Sequence, residues 1–300
     1  MSTVLATGAD DRYGFQLVNL IGSVRANSDV FGEIVAFDLG LAPERRALLE
    51  DLPGVRVEAV PAFVPHWRQG RTWKTWIWTH VEADTLFWLD AGTTVLRSLD
   101  SALKSVDERD YFVVSQGHAV GDSIPSDYYE LFDVPREIAA RDAIAAGILA
   151  FRVGSDFYER VIVRAHEDAV QGRSLGFSPS EAQGRNTGLD HMDAPPLRDC
   201  PHFRWDQTVL NLRFYRTVDD PTIAGLDEYA GWRSARDHPR QVIWSHRRTG
   251  DLPYLSRAPA SLRGRAVGSL YRLRWWRKRH ERWFSPTTYV LKARRLLSRR

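Results

Sequence analysis

The chain has 300 residues, with 41 Lys and Arg against 38 Asp and Glu and a single cysteine. That length suits one large α/β domain or two small ones with a substantial buried core. The lone Cys200 excludes an intramolecular disulfide framework and a cysteine zinc cluster, and it fits a reducing cytoplasm.

Residues 4–6 (Val-Leu-Ala) form a short apolar strand candidate, broken by Thr7-Gly8-Ala9-Asp10-Asp11. Phe15, Val18, Ile21 and Val24 then recur at helical spacing. Residues 31–37 read as a second strand ending at Asp38; Pro43 opens a helix over 44–51, and 55–60 alternates as a third strand. This rhythm predicts a parallel sheet with right-handed helical crossovers. The loop 61–71 is aromatic and basic.

Trp73, Trp76, Ile77 and His80 fall at helical spacing, and Thr85-Leu86-Phe87-Trp88-Leu89 is an apolar run suited to a strand covered on both faces. Asp90-Ala91-Gly92 follows where that strand stops. Open α/β sheets bind ligands beyond the carboxyl ends of their strands. A carboxylate there, followed by small residues, leaves room for a metal ion or a sugar-phosphate close to the backbone. An Asp at a strand end is also an ordinary turn former or helix cap.

Residues 98–106 read as a helix, 110–116 as a strand and 117–127 as a loop. Tyr128, Tyr129 and Phe132 suit packing, with lining of a groove as the alternative. Residues 145–151 run from small to apolar, which lets a sugar approach the backbone or permits tight strand packing. Residues 154–170 predict a helix with Phe157, Val161, Ala165 and Ala169 on one face. The stretch 171–204 is irregular; its His191 and Asp193 have the residue types of a metal pair, though such pairs are commonly solvated. Asp206 can cap a helix bearing Val209, Leu210 and Leu212. Residues 241–245 read as a late strand leading to His246-Arg247-Arg248.

The order Trp73-Lys74, helix, apolar strand, Leu89-Asp90-Ala91-Gly92 resembles the central block of GT-A glycosyltransferases. More narrowly, it is similar to a bacterial polysaccharide-biosynthesis branch with Leu-Asp-Ala-Gly in place of Asp-x-Asp. The likeness spans roughly residues 4–248 and is strongest over 73–92 and 204–211. It implies a GT-A domain over 1–260, with a mostly parallel central sheet flanked by helices. The implied activity is hexosyltransferase-like: a sugar passes from a nucleotide-sugar donor to a glycan or lipid-linked acceptor in surface polysaccharide synthesis.

The resemblance also assigns residues. Asp90, Asp206 and Gln207 take catalytic places. Thr7, Gly8, Ala9, Asp10 and Tyr13 border the nucleotide, and Lys74 faces the phosphates or ribose. Ala91, Gly92 and Gly147 border the sugar. Asp90 with His246 would hold a divalent metal, manganese or magnesium, but Gly92 stands where the wider family has a second Asp. Arg247 and Arg248 suit the diphosphate, because guanidinium groups pair bidentately with phosphate oxygens. The alternative is a non-catalytic nucleotide-sugar or carbohydrate-binding protein on the same fold. A nucleotidyltransferase needs a basic, glycine-rich loop after the first strand, and 7–11 is acidic instead.

Residues 261–300 hold 13 Lys and Arg and one acid, Glu281, so this stretch carries +12 and the preceding 260 residues −9. Leu262, Ala266, Leu270 and Leu273 lie at helical spacing among arginines, with Trp275, Trp276, Trp283 and Phe284 following. A basic amphipathic tail of this kind suits an anionic membrane surface. Packing on the acidic body and stacking on nucleic acid are the alternatives, and no specific nucleic acid is expected. No run approaches the roughly 20 apolar residues that cross a bilayer, and no signal-peptide pattern opens the chain. The expected location is cytoplasmic, peripheral on the inner face of the membrane.

Overall fold

The computed structural model describes residues 2–175, 203–231, 239–245 and 252–279. Its centre is a six-stranded sheet in the order β3-β2-β1-β4-β7-β6. The strands are β1 (Thr3–Ala9), β2 (Glu33–Asp38), β3 (Val55–Ala59), β4 (Thr85–Leu89), β6 (Tyr111–Ala119) and β7 (Asp142–Arg152). The first four run parallel; β7 runs antiparallel between β4 and β6. A two-stranded antiparallel ribbon, β5 (Thr93–Val95) with β8 (Ile243–Ser245), sits beside the end of β4.

Alternation along the strands builds two cores. Val4, Ala6, Leu86 and Trp88 face one side, with Ile77, Trp78 and Leu210. Leu5, Phe87 and Leu89 face the other, with Leu17, Ile21, Val106 and Leu255. A sheet buried on both faces explains the unbroken apolar run of β4, whose five residues are all buried. The helices covering it are α1 (Gly14–Asn27), α2 (Pro43–Glu50), α3 (Thr72–His80), α4 (Asp100–Arg109), α5 (Tyr128–Leu131), α6 (Arg164–Val170), α7 (Asp206–Thr217), α8 (Leu226–Tyr229) and α9 (Leu262–Arg279). A π-helical turn over Tyr158–Val163 leads into α6, and Phe157, Val161, Ala165 and Ala169 all point into the core as their spacing predicts. Tyr128, Tyr129 and Phe132 are core residues as well.

Three expectations are corrected. Thr7, Gly8 and Ala9 do not break β1: β2 pairs them with Ala36, Phe37 and Asp38 in register. Cross-strand pairing outweighs weak local propensity there. Strand β6 likewise runs on through Gly117 and His118 to Ala119. In α9, Leu262, Leu270 and Leu273 do not form the packing face; they are 83%, 55% and 61% exposed. Gly264, Val267, Gly268 and Tyr271 form that seam instead, with the Tyr271 ring packed at a tilt on Phe15, 4.2 Å between ring centroids. Glycine lets the helix backbone approach: a Cβ at Gly268 would lie 2.7 Å from the Leu255 carbonyl oxygen.

Candidate active site

At the carboxyl end of β4 the ladder continues one residue past the strand, where the Asp90 N–H donates to the Gly147 carbonyl at 2.8 Å. That bond carries Asp90 to the floor of a cavity of about 340 Å³. The walls come from the β1–α1 turn (Gly8, Ala9, Asp10, Arg12, Tyr13), the start of α3 (Arg71, Trp73, Lys74), the β4–β5 turn (Asp90, Ala91, Gly92), β7 (Ala145 to Ile148) and the start of α7 (Trp205, Gln207).

The side-chain centre of the site is Lys74. Its Nζ lies 2.9 Å from Asp90 Oδ1 and 3.0 Å from Asp206 Oδ2, and it donates to the Ala146 carbonyl at 3.4 Å. Two carboxylates and a carbonyl thus surround the ammonium. Lys74 is 1% exposed, with its charge 5.5 Å from the centre of the Trp88 ring. A buried cation persists only when it is paired and hydrogen-bonded, and two carboxylates meet that need. The helix start that presents Lys74 is held by Thr72 and Thr75, whose hydroxyls donate to the carbonyls of Gln69 and Thr72.

Trp88 Nε1 also donates to Asp90 Oδ1, at 2.9 Å. Burial pushes the Asp90 pKa up, but the charges of Lys74 and Arg71 and the bonds from Lys74 and Trp88 outweigh it, so the carboxyl ionises below its ordinary range. All of these bonds engage Oδ1. Oδ2 faces Gly147, where an added Cβ would lie 2.8 Å away. Only glycine leaves Asp90 in this position.

Asp206 is not a cap. Trp205 holds the N-cap position of α7, and no side chain caps the helix. The Asp206 carboxylate is fully buried and turns to Lys74, with Arg71 at 3.7 Å from its other oxygen. It lies behind the cavity wall rather than on it, next to Lys74. Gln207 does line the cavity; it is 6% exposed and its Nε2 has no hydrogen-bond partner. Two non-glycine residues at the rim adopt left-handed φ values: Arg71 at 56° and Trp205 at 50°. Each such conformation costs about 1–3 kcal/mol and tends to mark a functional wall. The Arg71 guanidinium lies 5.6 Å from the centre of the Trp205 ring.

Among solved structures, the WbbM bifunctional glycosyltransferase in its apo form matches with a TM-score of 0.54 and 12% identity, over 92% of this chain and 51% of that one. The GT-A fold is shown. The chain spans about half the length of WbbM. Galactosyltransferase LgtC, with donor and acceptor sugar analogues, aligns at a TM-score of 0.48 and 14% identity, over 89% of this chain and 95% of that one. GlyE of Streptococcus pneumoniae TIGR4 aligns at 0.46 and 15%, over 96% and 64%. No protein-family model matches the chain, and no curated protein matches it.

The GT-A sheet thus brings together Gly8, Ala9, Asp10, Tyr13, Lys74, Asp90, Ala91, Gly92, Gly147 and Gln207 around one cavity. It does not bring Thr7, which is fully buried within β1. His246, Arg247 and Arg248, like His191 and Asp193, lie outside the described residues; Ser245, next in the chain to His246, lines the cavity. Sequence reasoning missed Arg12, Arg71 and Trp205. The basic character of the loop before α3 was the available signal for Arg71.

The candidate metal ligand Asp90 lines the cavity, and His246 lies outside the described residues. None of them form a group of three His, Cys, Asp or Glu that could hold an ion. Asp90 Oδ1 is already bonded to Lys74 and Trp88, and Asp10 Oδ1 accepts from the Arg12 and Tyr13 N–H groups.

Proposed function

We propose that the cavity binds a nucleotide-sugar and that the protein transfers its sugar to a glycan or lipid-linked acceptor, in surface polysaccharide synthesis. The observation that carries this reading is Asp90, ionised at the carboxyl end of β4 on the cavity floor, with Oδ2 turned to the Gly147 backbone. Glycosyl transfer needs the sugar held by its hydroxyls, the leaving diphosphate stabilised and the acceptor oxygen placed near the anomeric carbon.

Each demand has a candidate. Asp90 Oδ2 accepts from a sugar hydroxyl, and Lys74 and Trp88 fix the carboxylate so that little ordering remains when the donor binds. The turn from Gly8 to Tyr13 borders the nucleotide. Gln207 has an unpartnered amide donor on the cavity wall, suited to a sugar or acceptor oxygen. The Lys74–Asp206 pair positions Asp90.

Helix α9 presents Leu262, Leu270, Leu273 and Trp276 to solvent, amid Arg263, Arg265, Arg272, Arg274 and Arg277. We assign this stripe to an anionic membrane surface, which would hold the protein on the inner face of the membrane near a lipid-linked acceptor. No described helix is long and apolar enough to cross a membrane.

The test is a thermal-shift panel of nucleoside diphosphates and nucleotide sugars, followed by assay of donor hydrolysis. Stabilisation by one nucleotide family with slow hydrolysis of its sugar donor supports the reading. Binding without turnover toward any acceptor marks the non-catalytic alternative, and no stabilisation at all removes both.

A further inference from the structure

Taking the cavity as a nucleotide-sugar site, we propose that Arg12 and Arg71, both on its lining, grip the donor diphosphate, and that donor binding needs no divalent cation. The charge count at Asp90 supports this. A divalent ion on Asp90 Oδ1 would have to displace an ammonium that is 1% exposed and held by two carboxylates and a carbonyl, and one on Oδ2 would stand against that same positive charge. Displacement would strand the fully buried Asp206 carboxylate, whose partners are Lys74 and, more distantly, Arg71. Lys74 therefore already supplies the positive charge that Asp90 would otherwise take from a metal. Gly92 offers no second carboxylate.

Two further cations stand on the cavity lining. Arg12 lies in the turn after β1, and Arg71 immediately precedes α3; both line the cavity that holds Asp90. Arg71 is 35% exposed, and 3.7 Å separates it from Asp206, beyond hydrogen-bond reach, so its N–H fork is not spent there. Its left-handed backbone, following Gly70 at φ 53°, sets the side chain on the rim against the Trp205 ring. A planar guanidinium placed this way matches two phosphate oxygens at once.

The experiment is calorimetric titration of the full chain with uridine, guanosine, adenosine and thymidine diphosphates, in EDTA and in manganese. The expected result is binding of one nucleotide with affinity unchanged within about threefold by manganese. Arg12→Gln and Arg71→Gln should each weaken binding in EDTA by about tenfold, as loss of a charge-assisted pair implies, while melting temperatures confirm that both variants fold. Binding that disappears in EDTA, returns with manganese and is untouched by either substitution overturns the proposal. If neither condition gives binding of any nucleotide or nucleotide sugar, the glycosyl-transfer reading itself fails and takes the proposal with it.

Discussion

Asp90 and Gly147 meet across the β4–β7 pair, with a 2.8 Å backbone hydrogen bond and no room for a Cβ between the residue-147 backbone and the Asp90 carboxylate. The contact couples sheet register to the position of the acid. Gly147→Ala should therefore swing the Asp90 side chain away from Lys74 at a modest stability cost of about 1–3 kcal/mol. The expected outcome is a folded variant with donor affinity or turnover reduced by about tenfold or more. Paired melting and binding measurements check it.

Lys74 is the neutralising partner of a fully buried carboxylate. Lys74→Met should cost about 3–5 kcal/mol, because Asp206 is left charged and unpaired in the interior. Adding Asp206→Asn should restore part of that loss. A double-mutant cycle by urea unfolding measures the coupling; strict additivity of the two substitutions would show that the pair is not energetically real.

His166 carries a pH prediction. Burial, and then the charge of nearby His80, lower its pKa from 6.5 to about 4, with Glu167 opposing. Its Nδ1 lies 3.1 Å from Thr75 Oγ1, and Phe63 and His80 pack against the ring. Between pH 6.5 and about 4 the unfolded chain takes up a proton that the folded chain refuses. Stability should therefore fall as pH drops through that window. His166→Gln should flatten this part of the profile, as read by melting temperature against pH.

Much of this centre is legible in the residues, for a physical reason. An apolar run followed at once by Asp-Ala-Gly marks a buried strand and its ligand-facing end, and Gly147 stands out as a small residue at the head of an apolar run, although β7 begins earlier, at Asp142. Lys74 is also legible as a site residue, but its pairing with two carboxylates is not, because pairing across distant segments has no local signature. Arg12 and Arg71 look like ordinary solvated arginines until the fold brings their turns together. The α9 seam is misread for a similar reason. Leucine spacing points to one face, but Gly264 and Gly268 allow closer approach on another.

That reversal exposes the leucines, and it makes the membrane assignment testable without unfolding anything. Leu270 and Leu273 are more than half exposed. Leu270→Ser with Leu273→Ser should leave the melting temperature within about 1 °C, since exposed substitutions change stability little. The same pair should weaken sedimentation with phosphatidylglycerol vesicles several-fold. Unchanged vesicle binding would remove the stripe from the account.

The central claim is that the Asp90 carboxylate holds an activated sugar. Its most direct test is titration of the stabilising nucleotide sugar, and of the matching nucleoside diphosphate, into the wild-type chain and Asp90→Asn. The account predicts that Asp90→Asn folds, keeps its affinity for the diphosphate within about threefold, and loses about tenfold or more in affinity for the nucleotide sugar, as expected when a charged acceptor to sugar hydroxyls is removed. Equal binding of the nucleotide sugar by both proteins would contradict it.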